Sequence, residues 1–301
     1  MSVAPTNVAG DQVPAPDGIS LDHVAHWVPA IDSASARMGQ LGFALTPYSS
    51  QRLPPKPGEP SAPAGTGNRC IMLRRGYIEV LTVEPGAETP NAKSLREGMA
   101  RYVGLHIVCF GASDPAPVQA RLAQGGFQPP PAVALSRMIG TPEGEKLARF
   151  SVVRAAPGAM AEGRIQFCVH HTPEHLWQDR WIDHPNGAIA LDSVIIVVSD
   201  MAEALPRYQR FTGRKPQARP DGTAVLALDH GAVMLGGPDT PLTGTPPKTL
   251  PFVAAYGVKV ADLKATAALL AKNGVEADAS VPGVISVEGG PALGGTVVFH
   301  G

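Results

Sequence analysis

The sequence predicts an α+β protein of four βαβββ modules forming two paired-module, cupped-sheet domains. A short strand start recurs, as "LDHV" at 21–24, "GLHI" at 104–107 and "LDSV" at 191–194. A helical stretch opened by an acidic or hydroxyl cap and closed by glycine follows each time. The 301 residues also exceed one ordinary core and suit two domains.

The elements follow in order. "ISLDHVAHWV" alternates as a strand, and a helix opens at Asp32 or Ser33 and closes at Gly42. The same order returns at "GLHIVCF" with a helix from Asp114 to Gly126, and at "LDSVIIVV" with one from Asp200 to Gly213. It returns again at "AAYGVKV" with one from Asp262 to Gly274. Hairpins close the modules through Gly76, Gly163, Gly231 and Gly295, most visibly in "NRCIML RRG YIEVLTV". The expected boundaries are a flexible leader over 1–18, a first domain over 19–172, a linker helix and turn over 173–190, and a degenerate second domain over 191–301. The Pro/Gly-rich "SSQRLPPKPGEPSAPAGTGN" reads as a connection able to close over a site. Trp177 and Trp181, one helical turn apart, are expected to pack the second half onto the first.

Lys+Arg 25 against Asp+Glu 26 leave no basic footprint for nucleic acid. Cys70, Cys109 and Cys168 have neither the number nor the spacing of a disulfide framework or a CxxC zinc site. With no secretory leader or long apolar run, a cytoplasmic protein without membrane attachment is expected.

Residues three after the turn glycine are Glu79, Gln166, Met234 and Val298; on the first strands His23, His106, Ser193 and Gly257 correspond. Only the first half keeps side chains that bind metals. His23, His106 and Glu79 make a 2-His-1-carboxylate set suited to a divalent metal (Fe, Mn, Ni or Zn), with Gln166 as an optional fourth oxygen. By period two, Gln166, Cys168 and His170 share a strand face. Glu79 and His170 are therefore the candidate catalytic acid–base groups, and Asn68, Arg69 and Cys168 candidate substrate contacts. A buried hydrogen-bonded cluster without a ligand role is the plainer reading of the same histidines.

"LDHVAHWVPAIDSA", "GTGNRCIML..GYIEVLTV" and "FCVHHTPEHLW....HPNGA" resemble the glyoxalase-like branch of the vicinal oxygen chelate superfamily, over roughly residues 20–190. The resemblance implies paired modules cupped around a divalent metal and a small-molecule substrate with vicinal oxygens. Lyase, isomerase and dioxygenase chemistry all occur there, as do metal-free drug-binding proteins, so a non-catalytic binding protein of the bleomycin-resistance type is the alternative. Such paired modules are compatible with a homodimer. The superfamily's metal pattern falls on His23, Glu79 and His106 and departs at Gln166, where glutamate is usual. Glutamine can coordinate but cannot serve as a general base.

Overall fold

A computed structural model describes residues 8–54, 59–240 and 249–301. The first sheet contains β1 (Ser20–Trp27), β2 (Ser49–Leu53), β3 (Ala62–Met72), β4 (Tyr77–Val83), β5 (Gly104–Gly111), β6 (Val133–Thr141), β7 (Gly144–Arg154) and β8 (Arg164–His170). Their order is β2-β3-β4-β1-β5-β8-β7-β6. The second sheet contains β9 (Ala188–Val197), β10 (Gln217–Ala218), β11 (Ala224–Ala227), β12 (Ala232–Gly236), β13 (Phe252–Val260), β14 (Val284–Glu288) and β15 (Thr296–His300), in the order β10-β11-β12-β9-β13-β15-β14. In both sheets the first strands of two modules, β1 with β5 and β9 with β13, pair antiparallel at the centre. This is the expected pair of cupped sheets. The last module has two strands after its helix, and Asp278 bridging Ser286 stands at its outer edge.

The helices are α1 (Ile31–Gln40), α2 (Pro90–Arg101), α3 (Pro115–Gln124), α4 (Pro173–Leu176), α5 (Met201–Thr212), α6 (Leu263–Lys272) and α7 (Gly290–Leu293). Asp114, Asp200 and Asp262 cap α3, α5 and α6 by accepting from backbone N–H groups of the first turn, which satisfies donors that would otherwise be orphaned. The sequence reading missed α2, whose signal is Thr89 as N-cap followed by Pro90. It also took the Pro/Gly-rich segment for a connection, whereas β2 and much of β3 lie within it; only residues 55–58 fall outside the described residues.

One apolar core serves both halves. Leu21, Val24, Phe110 and Phe167 from the first sheet join Val194, Tyr256 and Phe299 from the second, with Met38 of α1 and Phe211 of α5 between them. The halves are also stitched by backbone hydrogen bonds made twice over. Leu21 N donates to His230 O (2.8 Å) and Leu191 N to Arg75 O (3.0 Å), so each central strand begins on the other half's hairpin turn. Gly76 and Gly231 sit at those turns with φ of +70° and +82°. A Cβ on Gly76 would come within 2.8 Å of Asp22 O, so the turn needs glycine for space as well as conformation.

Two expectations change here. Residues 1–7 of the leader lie outside the described residues, but Gln12 is buried: it donates to Val8 O and Arg74 O and accepts from Gly76 N. Trp177 and Trp181 pack on the first sheet rather than across the halves, Trp177 beside Cys70 and Met72 with its Nε1 donating to Leu73 O.

His26 is fully buried between the halves, with Nδ1 3.0 Å from Leu293 O and Nε2 3.3 Å from Tyr256 Oη. Burial, reinforced by nearby His106, pushes its pKa down to about 4 against the stabilising Leu293 carbonyl. The unfolded chain therefore binds a proton that the fold refuses, and stability falls as pH drops from about 6.5 towards 4. His26→Gln retains a donor for Leu293. Urea titrations should show it losing about 3 kcal/mol less than the wild type over that interval.

Candidate active site

The floor of the first cup is set by two interruptions of the β1–β5 ladder. Leu21 pairs with Phe110 and His23 with Cys109, so Asp22 is an extra residue on β1; Ala25 pairs with Ile107 and His26 with Leu105, so His106 is an extra residue on β5. Such bulges re-aim side chains that regular alternation would send to the opposite face. Asp22 and His23, neighbours in sequence, consequently meet one another: His23 Nδ1 lies 2.5 Å from Asp22 Oδ1. From β8, His170 Nε2 reaches Asp22 Oδ2 at 2.9 Å. One carboxylate thus joins two imidazoles, all buried.

Two thiols complete the group. The ligating atoms of Asp22, His23 and Cys109 lie within 4.8 Å of one another, as do those of Asp22, Cys168 and His170. Tyr77 stacks on His23 (4.3 Å between centroids) and Trp177 meets His170 edge-on (5.0 Å), so the group has an aromatic wall. Burial alone would raise the Asp22 pKa; His170 and the two imidazole hydrogen bonds outweigh it and hold the carboxyl well below the ordinary range. Burial likewise disfavours both imidazolium ions, yet Cys168 and Asp22 raise His170 well above its ordinary value, and Asp22 raises His23. A hydrogen bond from Cys109 lowers the Cys168 thiol to about 6 against the cost of burial, with His170 assisting.

Above the floor lies a cavity of about 110 Å³. Of the residues singled out in the sequence, His23, Glu79, Gln166, Asn68 and Cys168 line it together. Glu79 Oε1 accepts from Asn68 Nδ2 and from Gln51 Nε2 (3.1 Å), and Gln166 Oε1 accepts from Arg154 Nε (3.1 Å). Gln166 and Cys168 line the cup together, and His170 joins the group through Asp22.

His106 is not brought to His23 and Glu79. Turn-based register explains why: Glu79 pairs with Ala25 and Gln166 with Cys109, so the residue of β5 at the place of His23 is Ile107. His106 is one position away and the bulge carries it towards α2, where it stacks between Trp27 and Tyr102 (4.6 and 4.1 Å) and lines a neighbouring hollow of about 540 Å³. Burial takes its pKa down to about 4, with Arg101 and Arg164 adding to the effect. Arg69 does not line the cup either; between Asn68 and Cys70 the strand alternation turns it away, and its Nη1 lies 3.4 Å from Thr46 O.

Asp22 was the residue missed. Its signal was present, because "LDHV" and "LDSV" both carry aspartate before the aligned position, and Asp192 is the corresponding extra residue on β9. There Asp192 Oδ2 meets His300 Nε2 (2.8 Å), but Ser193 and Met234 stand where His23 and Glu79 stand in the first sheet.

The fold and cup agree with what related sequences show: a family model described as "Glyoxalase-like domain" matches residues 21–212. The chain belongs to the glyoxalase-like domain family. No curated protein matches it in sequence. Among solved structures it is similar to a hypothetical protein from Staphylococcus aureus, at 12% identity and a TM-score of 0.65, covering 94% of this chain and 99% of that one. It is also similar to a variant of 4-hydroxymandelate synthase from Streptomyces coelicolor (13% identity, TM-score 0.53, covering 95% and 93%). A third similarity is to a xylose isomerase-like TIM barrel/4-hydroxyphenylpyruvate dioxygenase fusion protein (14% identity, TM-score 0.53), covering 96% of this chain and 50% of that one. At these identities the structures show the shared fold. Among the described residues, no helix is long and apolar enough to cross a membrane.

The three cysteines are free and buried but not equivalent: Cys70 and Cys168 both line the cavity, yet burial raises Cys70 to about 12 while Cys168 stands near 6. In chelator-treated protein at pH 7, a small alkylating agent should modify Cys168 first and leave Cys70 unmodified, as read by peptide mass spectrometry. Preferential labelling of Cys70 would contradict this site geometry.

Proposed function

We propose that this glyoxalase-like protein is a divalent-metal-dependent enzyme acting on a small molecule with vicinal oxygens in the cup of the first sheet. The supporting observation is Asp22, which faces two buried histidines and two thiols, a group whose His23 and Cys168 line the cup cavity. The donor set fits a cation: His170 Nδ1 is buried without a hydrogen-bond partner among the described residues, and the other donors are an imidazole, a carboxylate and two sulfurs. Either Asp22, His23 and Cys109 or Asp22, Cys168 and His170 would hold the ion. Thiolate in that set favours zinc or iron(II) over manganese.

A bound ion would supply electrophilic stabilisation to two neighbouring substrate oxygens. The chain's own residues account for the remaining work. Glu79 is the carboxylate lining the cavity, and its Oε1 is fixed by Asn68 and Gln51, which orients it as the proton acceptor. Tyr77 and Trp177 border the floor with aromatic surface and keep water from the charged group. Gln166 takes no proton and positions Arg154 instead. That last contact favours the second reading, a protein that binds its ligand without transforming it, because the residue at the place of the usual second acid is committed to holding a guanidinium.

Elemental analysis of untagged protein tests the metal reading. Near-stoichiometric divalent metal is expected in the wild type and in His106→Ala, and its loss in the His23→Ala/His170→Ala double variant. Metal retained by the double variant, or lost from His106→Ala, would overturn the assignment.

A further inference from the structure

The cup wall carries more positive charge than the described residues neutralise. Arg137 on β6, Arg154 on β7 and Arg164 on β8 all line the cavity, yet among the described residues none has a carboxylate within 4.0 Å. Their hydrogen bonds go to neutral groups. Arg154 Nε donates to Gln166 Oε1 (3.1 Å), and Arg164 Nη2 to Asn91 Oδ1 and Ser94 Oγ (3.3 and 3.4 Å). Arg137 Nη1 makes long contacts of 3.5 Å with Ser49 Oγ and Asn68 Oδ1, and its Nε is buried with no partner.

Burial and the charge of Arg154 lower Arg164 to about 10, against the attraction of Glu79, and burial lowers Arg154 as well. Among the described residues Glu79 is the one carboxylate lining the cavity, and Gln51 and Asn68 already donate to it. Arg52 also lines the cup, but its guanidinium is exposed and bonds Ser61 O. Three guanidiniums against one carboxylate leave two positive charges. Half-buried like charges of this kind are costly without a counterion, and the planar guanidinium fork fits an oxyanion.

We infer that the cup binds a doubly charged oxyanion, a phosphoryl group or a dicarboxylate, between Arg137, Arg154 and Arg164. This rests on the reading of the cup as the small-molecule site and names the chemical class of its ligand. The enclosed 110 Å³ is less than the roughly 150 Å³ that admits benzene, so it holds the anionic head and a few further atoms. A second hollow of about 440 Å³ shares Cys70 and Arg137 with the cup and is lined by Met72, Met138, Leu176 and Trp181. An apolar body attached to the anion fits there.

Calorimetric titration of chelator-treated full-length protein with inorganic phosphate, malonate, acetate and neutral malonamide tests the inference. Phosphate or malonate should bind, with affinity falling as salt is raised, and malonamide should not; the tighter of the two dianions identifies the source as phosphoryl or dicarboxylate. Arg154→Met and Arg164→Met should each weaken that binding at least tenfold. Arg154→Lys, which keeps the charge but not the fork, should bind with intermediate affinity. Thermal melts in the absence of ligand should show the variants folded, with Tm unchanged or raised because like-charge repulsion is relieved. Malonamide binding as well as malonate, dianions failing to bind the wild type, or folded Met variants within twofold of wild-type affinity would overturn the inference. The titration is run on chelator-treated protein, so loss of the metal reading and loss of the anion reading give different results.

Discussion

Two unpaired residues at the centre of the first sheet determine where its chemistry can lie. A strand has a side-chain period of two, so an extra residue reverses the facing of everything beyond it relative to the partner strand. On β1 the extra residue is Asp22, and it places a carboxylate beside His23 and within reach of His170 from β8. On β5 it is His106, which leaves the cup floor for the aromatic stack at α2. Without the first bulge, the two buried imidazoles would lack a shared anion.

The arrangement joins opposite electrostatic demands in one small space. At the floor, a carboxylate stabilises charge on two imidazoles, Cys109 and His170 favour the Cys168 thiolate, and the aromatic wall of Tyr77 and Trp177 keeps those interactions in a low-dielectric setting. Along the far wall, guanidiniums on three neighbouring strands face inward with neutral partners only. A buried set of donors and an uncompensated cationic wall both reduce the stability of an empty protein. The second sheet has shed this cost: it keeps an aspartate at the bulge, but Ser193, Met234 and Val298 replace the reactive side chains while its back face completes the shared core.

The fold was legible because its signals are local. Asp114, Asp200 and Asp262 cap helices where the sequence pattern placed caps, and the turn glycines Gly76 and Gly231 take the left-handed conformation their hairpins require. The joint lining of the cup by Gln166 and Cys168 followed from simple alternation. What alternation could not supply was register between strands distant in sequence. Matching "LDHV" to "GLHI" letter by letter equates His23 with His106, whereas the ladder equates His23 with Ile107. The same limit concealed the cationic wall, because Arg137, Arg154 and Arg164 are unremarkable on their own strands and converge only when β6, β7 and β8 are set side by side.

The central claim is that the bulge at Asp22, rather than a paired histidine at 106, creates the reactive centre. Anomalous diffraction from crystals of the metal-loaded protein, recorded at the absorption edge of the bound ion, addresses it most directly. The account predicts a single strong peak within bonding distance of Asp22 and of either His23 with Cys109 or His170 with Cys168. A peak coordinated by His106 and Glu79, with Asp22 directed away from it, would contradict the account.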